Sequence, residues 1–452
     1  MRTHAFVAGL VLLLNSSGVR ASGSPEYDLA ACIHAALTNS PDLGAAAADL
    51  AGARARLGQA KAGRWGQSEY NQLLGFVNEA HGDPTFSPNN KNDIFQGLGP
   101  FTRLELNINI PLWTFGKLDS ALKAAQEGLE SEHARADGKR AEVILSTKQL
   151  YYGLLLGRQL STVLHDMLDI MDKAVKKTQE RLDASSSGVT EIDLLKLKTG
   201  RARFAKGGVE VDASVSLTRS ALARTIGVDA DSDFDIADRK LLPVDATIGP
   251  LDGYLAEGPG HRPEARQLQT GLAAQSAKVD LETAGYYPTV FLATGLRYAH
   301  AGNREEQTNP FAYDNFNYNV QPVGVVGIHW DLNFFLTTAK VAEARADLDR
   351  LAVQRRDAAS GLQLEIRRAY SDVVQARETI KVTEEGRKAG RGLLILSMSN
   401  FELAFGEAEE LFKALGAYTE ASSDYFRAVH DYDVAVAALS KAVGNELTSL
   451  VY

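Results

Sequence analysis

Alternation of apolar and polar side chains is cleanest between Arg103 and Leu112. There Leu104, Leu106, Ile108, Ile110 and Leu112 are separated by Glu105, Asn107, Asn109 and Pro111. Successive side chains on a strand point to opposite faces, so this stretch predicts a strand with one apolar and one polar face. The pattern returns at Val323–Asn333, with Val326, Ile328, Trp330 and Leu332 on one face and Gly327, His329 and Asp331 on the other. Two more strands are expected. One lies near residues 65–77, where Tyr70, Leu73, Leu74, Phe76 and Val77 sit among Gln, Ser and Asn; the other, Thr289–Tyr298, follows Tyr287-Pro288. Polar loops at His81–Pro100 and His300–Gln321 separate them. Such strands suit a sheet on a soluble core, or a membrane barrel with lipid outside and water inside.

Elsewhere the period is helical. Lys117–Asp183 reads as one helix of 67 residues, roughly 100 Å at 1.5 Å per residue. A step of seven from Leu122 lands on Leu129, Ala136, Val143, Leu150, Gly157, Leu164 and Met171, all apolar or small. Ser185-Ser186-Ser187-Gly188 predicts a break, with a return helix over Thr190–Thr225. A second long helix is expected over Lys340–Gly390, with a weaker seam through Val341, Leu348, Leu362, Ala369 and Ala376 and with Arg355 intruding. Its return helix is expected over Glu407–Val443. Shorter helices are expected at Leu29–Leu37, opening on Asp28 as N-cap, at Leu43–Ala60 and at Arg262–Ala284.

The chain holds 13 prolines, and none falls in residues 112–242 or 323–452. Proline breaks a helix interior, so both stretches are free to form long helices. Each follows an alternating strand, and each contains a matching end, Ala221–Gly227 against Ala438–Gly444. The sequence therefore predicts one unit written twice: residues 22–227 and 261–452, joined by a linker at 228–260 rich in Asp, Gly and Pro.

Composition narrows the function. The formal charge of −9 over 452 residues argues against a nucleic-acid binder. Arg2, the apolar run Ala5–Leu14 and Val19-Arg20-Ala21 predict a secretory signal over residues 1–21. Later stretches fall short of the roughly 20 apolar residues of a membrane-spanning helix. Cys32 is the single cysteine, so an internal disulfide is impossible. Leu29-Ala30-Ala31-Cys32 resembles a lipoprotein signal, but Arg20, Glu26 and Asp28 interrupt its approach. The nine histidines show no metal-ligand spacing, and there is no nucleophile elbow or phosphate loop. No catalysis, metal or cofactor is expected. Gly153 and Gly157, and likewise Gly138 and Gly200, predict close helix packing, since each costs about 1 kcal/mol against alanine in a helix.

With the duplication, strands and helices placed, the chain resembles the TolC family of outer-membrane efflux proteins over nearly its whole length. The features that carry the resemblance are Asn39-Ser40-Pro41-Asp42-Leu43, Pro111-Leu112-Trp113-Thr114-Phe115-Gly116, Tyr287-Pro288 and the paired helix ends at Gly227 and Gly444. It departs at Arg64-Trp65, where a proline is missing, and between Asp331 and Lys340, where residues are added.

The resemblance implies a mainly α protein with a transmembrane β-barrel part, built as a homotrimer. Each chain would give four strands to a twelve-stranded barrel in outer-membrane lipid and long coiled-coil-like helices to a periplasmic tunnel. The lipid-facing candidates are Leu104, Leu106, Ile108, Ile110, Val326, Ile328 and Trp330. The implied role is a passive exit duct of a tripartite efflux or type I secretion system, working with a periplasmic adaptor (membrane fusion) protein and an inner-membrane transporter. It also implies a pore constriction of acidic side chains at the periplasmic tip, carried here to Glu410 first, then Glu409 and Asp193. Acids in a helix's first turn also simply suit its dipole. Lys413 replaces a second acid, and no base occurs near Glu407-Ala408 for the latch some members use. The competing reading is an exported coiled-coil scaffold or adhesin stalk without conduction.

Overall fold

A computed structural model describes residues 26–80, 97–184, 189–229, 234–305, 314–403 and 405–448. The expected leader, the middle of both polar loops and the Ser185–Gly188 break lie outside the described residues.

The same order of elements occurs twice. The first set is α1 (Leu29–Asn39), α2 (Pro41–Ala62), β2 (Gln67–Val77), β3 (Gly99–Trp113), α3 (Lys117–Asp183) and α4 (Glu191–Ile226). The second is α5 (Leu251–His261), α6 (Pro263–Thr283), β5 (Thr289–Ala301), β6 (Tyr318–His329), α7 (Phe334–Glu402) and α8 (Ala408–Val443). Two short strands, β1 (Glu26–Tyr27) and β4 (Asp235–Ile236), pair in parallel and tie the start of the first set to the connection between them.

Local chemistry sets the boundaries. Asp28 accepts the Ala31 N–H at 2.7 Å and starts α1. Pro41 and Pro263 open α2 and α6 at the first-turn position where proline costs no hydrogen bond. Gly227 and Gly444 end α4 and α8 with φ of 74° and 75°, the left-handed conformation that favours glycine. Those two ends are packed alike. The end of α1 seats on the end of α4, where Asn39 donates to the Ile226 carbonyl at 2.8 Å. The end of α5 seats on the end of α8, where Arg262 donates to the Ala442 carbonyl at 3.0 Å.

Residues 251–260, expected as linker, are therefore helical and belong to α5, the counterpart of α1. The shared signal is Arg262-Pro263-Glu264 against Ser40-Pro41-Asp42. The last strand also lies earlier than its alternation suggested, running from Tyr318 to His329, so Trp330 and Leu332 fall beyond it. Helix α7 begins at Phe334 rather than Lys340 and continues to Glu402 rather than Gly390. In the first set Phe115 (φ 49°) and Gly116 (φ 88°) make a left-handed turn before α3. The second set has Phe335-Leu336 after its strand and no glycine, and the chain enters the helix directly. Gly390 is a packing residue: a Cβ there would lie 3.4 Å from the Tyr418 backbone.

Helix α3 has the 67 residues expected and packs on α1, α2, α4, α6 and α8. None of its eight seam residues is exposed, but only Val143 and Met171 are fully buried, because the helix is contacted on several sides. A Cβ on Gly157 would meet Val215 at 2.7 Å and one on Gly200 would meet the Phe412 ring at 2.6 Å, so both glycines permit close helix approach. The main core joins α1, α3, α4 and α8 around Ile33, Tyr151, Leu154, Met171 and Leu197. A second core joins α7 and α8 around Ile366, Val373, Val436 and Leu439. Cys32 is wholly buried in the first, and burial pushes its thiol up to about 12. That placement stands against lipidation at Cys32.

Candidate functional site

The four long strands form one antiparallel sheet in the order β2-β3-β5-β6. Its register fixes the faces. Tyr70 pairs with Leu106, Leu106 with Leu296, Ile108 with Thr294, Ile110 with Leu292, and Leu292 with Val326. Directly paired residues share a face, so the even-numbered positions form one apolar surface. It includes all four candidates of β3 together with Val326 and Ile328. The opposite face carries Arg103, Glu105, Asn107 and Asn109 of β3 and small residues from β5. No helix packs on either face among the described residues. The apolar surface is bare: Phe76 is 74% exposed and Ile328 69%. Among the described residues β2 and β6 are the outer strands of this sheet, and neither pairs with a further strand along its outer edge.

Gly75 lies opposite Phe101, and Gly327 opposite Phe291. The phenyl rings sit 2.9 Å and 2.8 Å from where a Cβ would be, so each edge strand's glycine is covered by an aromatic ring of the central strand. At the helical end of the sheet every strand meets an aromatic residue. Trp65 precedes β2, Trp113 ends β3, Tyr287 precedes β5 and Trp330 follows β6. Phe115 stacks on Tyr287 with centroids 5.5 Å apart, and the Trp330 indole donates to the Tyr286 carbonyl at 3.1 Å. Trp330 therefore belongs to this aromatic rim rather than to a strand face.

At the far end of the helices the two hairpin tips lie side by side. The C-terminal carbonyls of α7 are satisfied from α3, because Lys177 donates to Glu402 O at 3.0 Å and Arg181 to Phe401 O at 3.2 Å. Arg181 also lies 5.5 Å from the Phe401 ring centroid. Across the tips Lys196 pairs with Glu409 at 2.9 Å. Asp193 closes a capping box, accepting from the Thr190 hydroxyl at 2.7 Å while the Thr190 side chain accepts from its N–H. Glu409 accepts from Lys196 and Lys413, both at 2.9 Å, and these bonds hold its carboxyl down to about 2. Glu410 is exposed and has no ion-pair partner among the described residues.

Solved structures of bacterial outer-membrane channels superpose on this chain almost end to end. That of VceC from Vibrio cholerae matches with a TM-score of 0.74, covering 93% of this chain and 96% of its own at 19% identity. The CmeC channel of Campylobacter jejuni matches at 0.75, covering 99% and 95% at 14% identity. The fold is that of the TolC-family outer-membrane channels. Two curated relatives agree with it. Protein CyaE of Bordetella pertussis is 26% identical over 310 residues, which is 67% of this chain and 62% of its own length. The fusaric acid resistance protein FusA of Burkholderia cepacia is 22% identical over 213 residues, covering 44% of this chain and 39% of FusA. The chain thus spans less than two thirds of the length of these two curated relatives. No family model matches the sequence.

On the TolC-type fold the three acidic candidates are not equivalent. The carboxylate of Asp193 is engaged in its helix cap, and that of Glu409 is shared by two lysines, which leaves Glu410 as the one of the three with no ion pair among the described residues. The sequence carried no sign of the cross-hairpin contacts of Lys177, Arg181 and Lys196. Their partners lie more than 200 positions away along the chain.

Proposed function

We propose that three copies of this chain form an outer-membrane duct, with β6 of one copy pairing β2 of the next into a twelve-stranded barrel. The long hairpins then form a periplasmic α-helical tunnel that receives cargo from an inner-membrane transporter through a periplasmic adaptor protein. The observation that carries the reading is the bare four-stranded sheet. An exposed apolar face needs lipid or a partner, and open edges need strands. Four strands cannot close. Two copies would give eight, a barrel whose interior side chains fill, so three is the smallest number that leaves a passage. The aromatic rim at the helical end suits the membrane–water boundary. Apolar residues exposed along α7, among them Leu364, Val382 and Leu396, suit contact with neighbouring copies. One relative's name, for resistance to fusaric acid, supports a role in export.

Within such a duct Glu410 is the residue for a ring of carboxylates that favours cations. The scaffold or stalk reading leaves the apolar sheet face in water and accounts for neither edge. Two measurements decide between them. Heat-modifiable trimers in the outer-membrane fraction that conduct in planar bilayers support the duct, whereas release by salt washing overturns it. Glu410→Ala is expected to lower the cation-to-anion permeability ratio, and an unchanged ratio removes the ring.

A further inference from the structure

Between β4 and α5 residues 237–250 run as an irregular strap from one core to the other. Its first half is held by α3, where the Tyr151 hydroxyl donates to Asp238 at 2.6 Å and Gln159 to the Arg239 carbonyl at 3.1 Å. Its second half crosses α8. Leu241 is buried, Val244 packs against both cores, and Ala246 and Ile248 pack against the α7–α8 core. The hydrogen bond that ties the strap to α8 runs from the Val244 N–H to Asp433 Oδ1 at 2.9 Å.

Asp433 is an unusual anchor. It is 1% exposed, and its second oxygen, Oδ2, is buried with no hydrogen-bond partner. No cation lies within ion-pair distance among the described residues. The ionisable groups around it are Tyr152 on α3 and Tyr432 beside it on α8. Tyr152 also feels Asp238 and Glu446, the latter paired with Lys148, and Tyr432 feels Arg377 and Asp245. A carboxylate with one donor and no counter-charge is costly to bury.

We propose that Asp433 is a proton-dependent clasp: protonated, it lets the strap seat across α8, and ionised, it drives local opening of the strap around Val244. The proposal is independent of what the duct carries. Burial pushes the Asp433 carboxyl up to about 7, with the Val244 N–H pulling the other way. In an opened strap the carboxyl is hydrated and returns towards its ordinary value of 3.8. The closed form therefore binds the proton more tightly. Opening becomes easier as pH rises between those two values and is flat above the upper one. The population of the open strap is expected to grow by about a hundredfold or more from pH 4 to pH 7.

The test is hydrogen exchange of the full-length protein in detergent between pH 5 and pH 8, corrected for the intrinsic pH dependence of exchange. Peptides covering 237–250 are expected to lose protection as pH rises to about 7, while peptides from the middle of α3 stay constant. Asp433→Asn keeps an acceptor for the Val244 N–H and cannot ionise, so its strap is expected to exchange independently of pH. Asp245→Asn, on the exposed side of the strap, is expected to keep the wild-type response. Wild-type protection that does not change with pH overturns the proposal without any variant, and so does an unchanged response in Asp433→Asn.

Discussion

Replacing Arg262 by alanine probes the seat on which the second set of elements closes. The guanidinium is 3% exposed and makes four contacts. Two are to backbone carbonyls at the end of α8, Ala442 at 3.0 Å and Lys441 at 3.4 Å. The others are to Glu264 at 2.9 Å and Glu365 at 3.0 Å, whose side chains are 37% and 43% exposed. Both carboxylates can turn to water when the arginine is gone, so their ion pairs contribute little. The carbonyls cannot do so as readily. Losing a charged donor to a buried carbonyl costs about 2 kcal/mol, and the emptied space under α5 and α6 adds about 1 kcal/mol.

The loss expected for Arg262→Ala is therefore about 3 kcal/mol. The first set supplies an internal control. Asn39 occupies the equivalent seat with one neutral hydrogen bond, at 2.8 Å to Ile226, so Asn39→Ala is expected to cost about 1 kcal/mol. Thermal unfolding followed by helical circular dichroism, with both variants in the same detergent, gives the comparison. Equal losses, or a larger loss for Asn39→Ala, would refute the reasoning that a buried charged clamp outweighs a neutral one here.

The register of the sheet predicts opposite outcomes for neighbouring positions. Leu106→Arg places a charge on the apolar face and is expected to cost about 2–4 kcal/mol at mid-membrane and to deplete heat-modifiable trimers. Asn107→Arg, on the polar face, is expected to assemble normally, and equal assembly of the two would reject the assignment of faces. Gly200→Leu drives a side chain into Phe412 and Met171 and is expected to destabilise the hairpin tips by about 1–3 kcal/mol. Faster proteolysis at the tips than elsewhere would register it, and an unchanged cleavage rate would show that the tips can repack.

Much of this architecture is local and was legible along the chain. Proline-free stretches and apolar spacing gave α3 its limits, Lys117 to Asp183, because a helix is built from contacts three and four residues apart. Period-two alternation marked β3, and the Gly227 and Gly444 ends exposed the duplication, because only glycine takes that turn without strain. The local signal misled where tertiary contact overrode it. Alternation carried the last strand on to Leu332, but pairing with β5 stops at His329. Gly390 looked like a helix end, yet it lies inside α7, which packs on α8 there and runs on to Glu402. The pairing of β3 with β5, which joins the two halves of the sheet, is a non-local choice no single segment encodes. The same holds for charge. Sequence placed Asp193, Glu409 and Glu410 in first turns, but only the packed tips bring Lys196 to Glu409 and leave Glu410 without an ion pair among the described residues. Only burial of α8 beneath the strap pushes up the carboxyl of Asp433, an ordinary acid in the sequence.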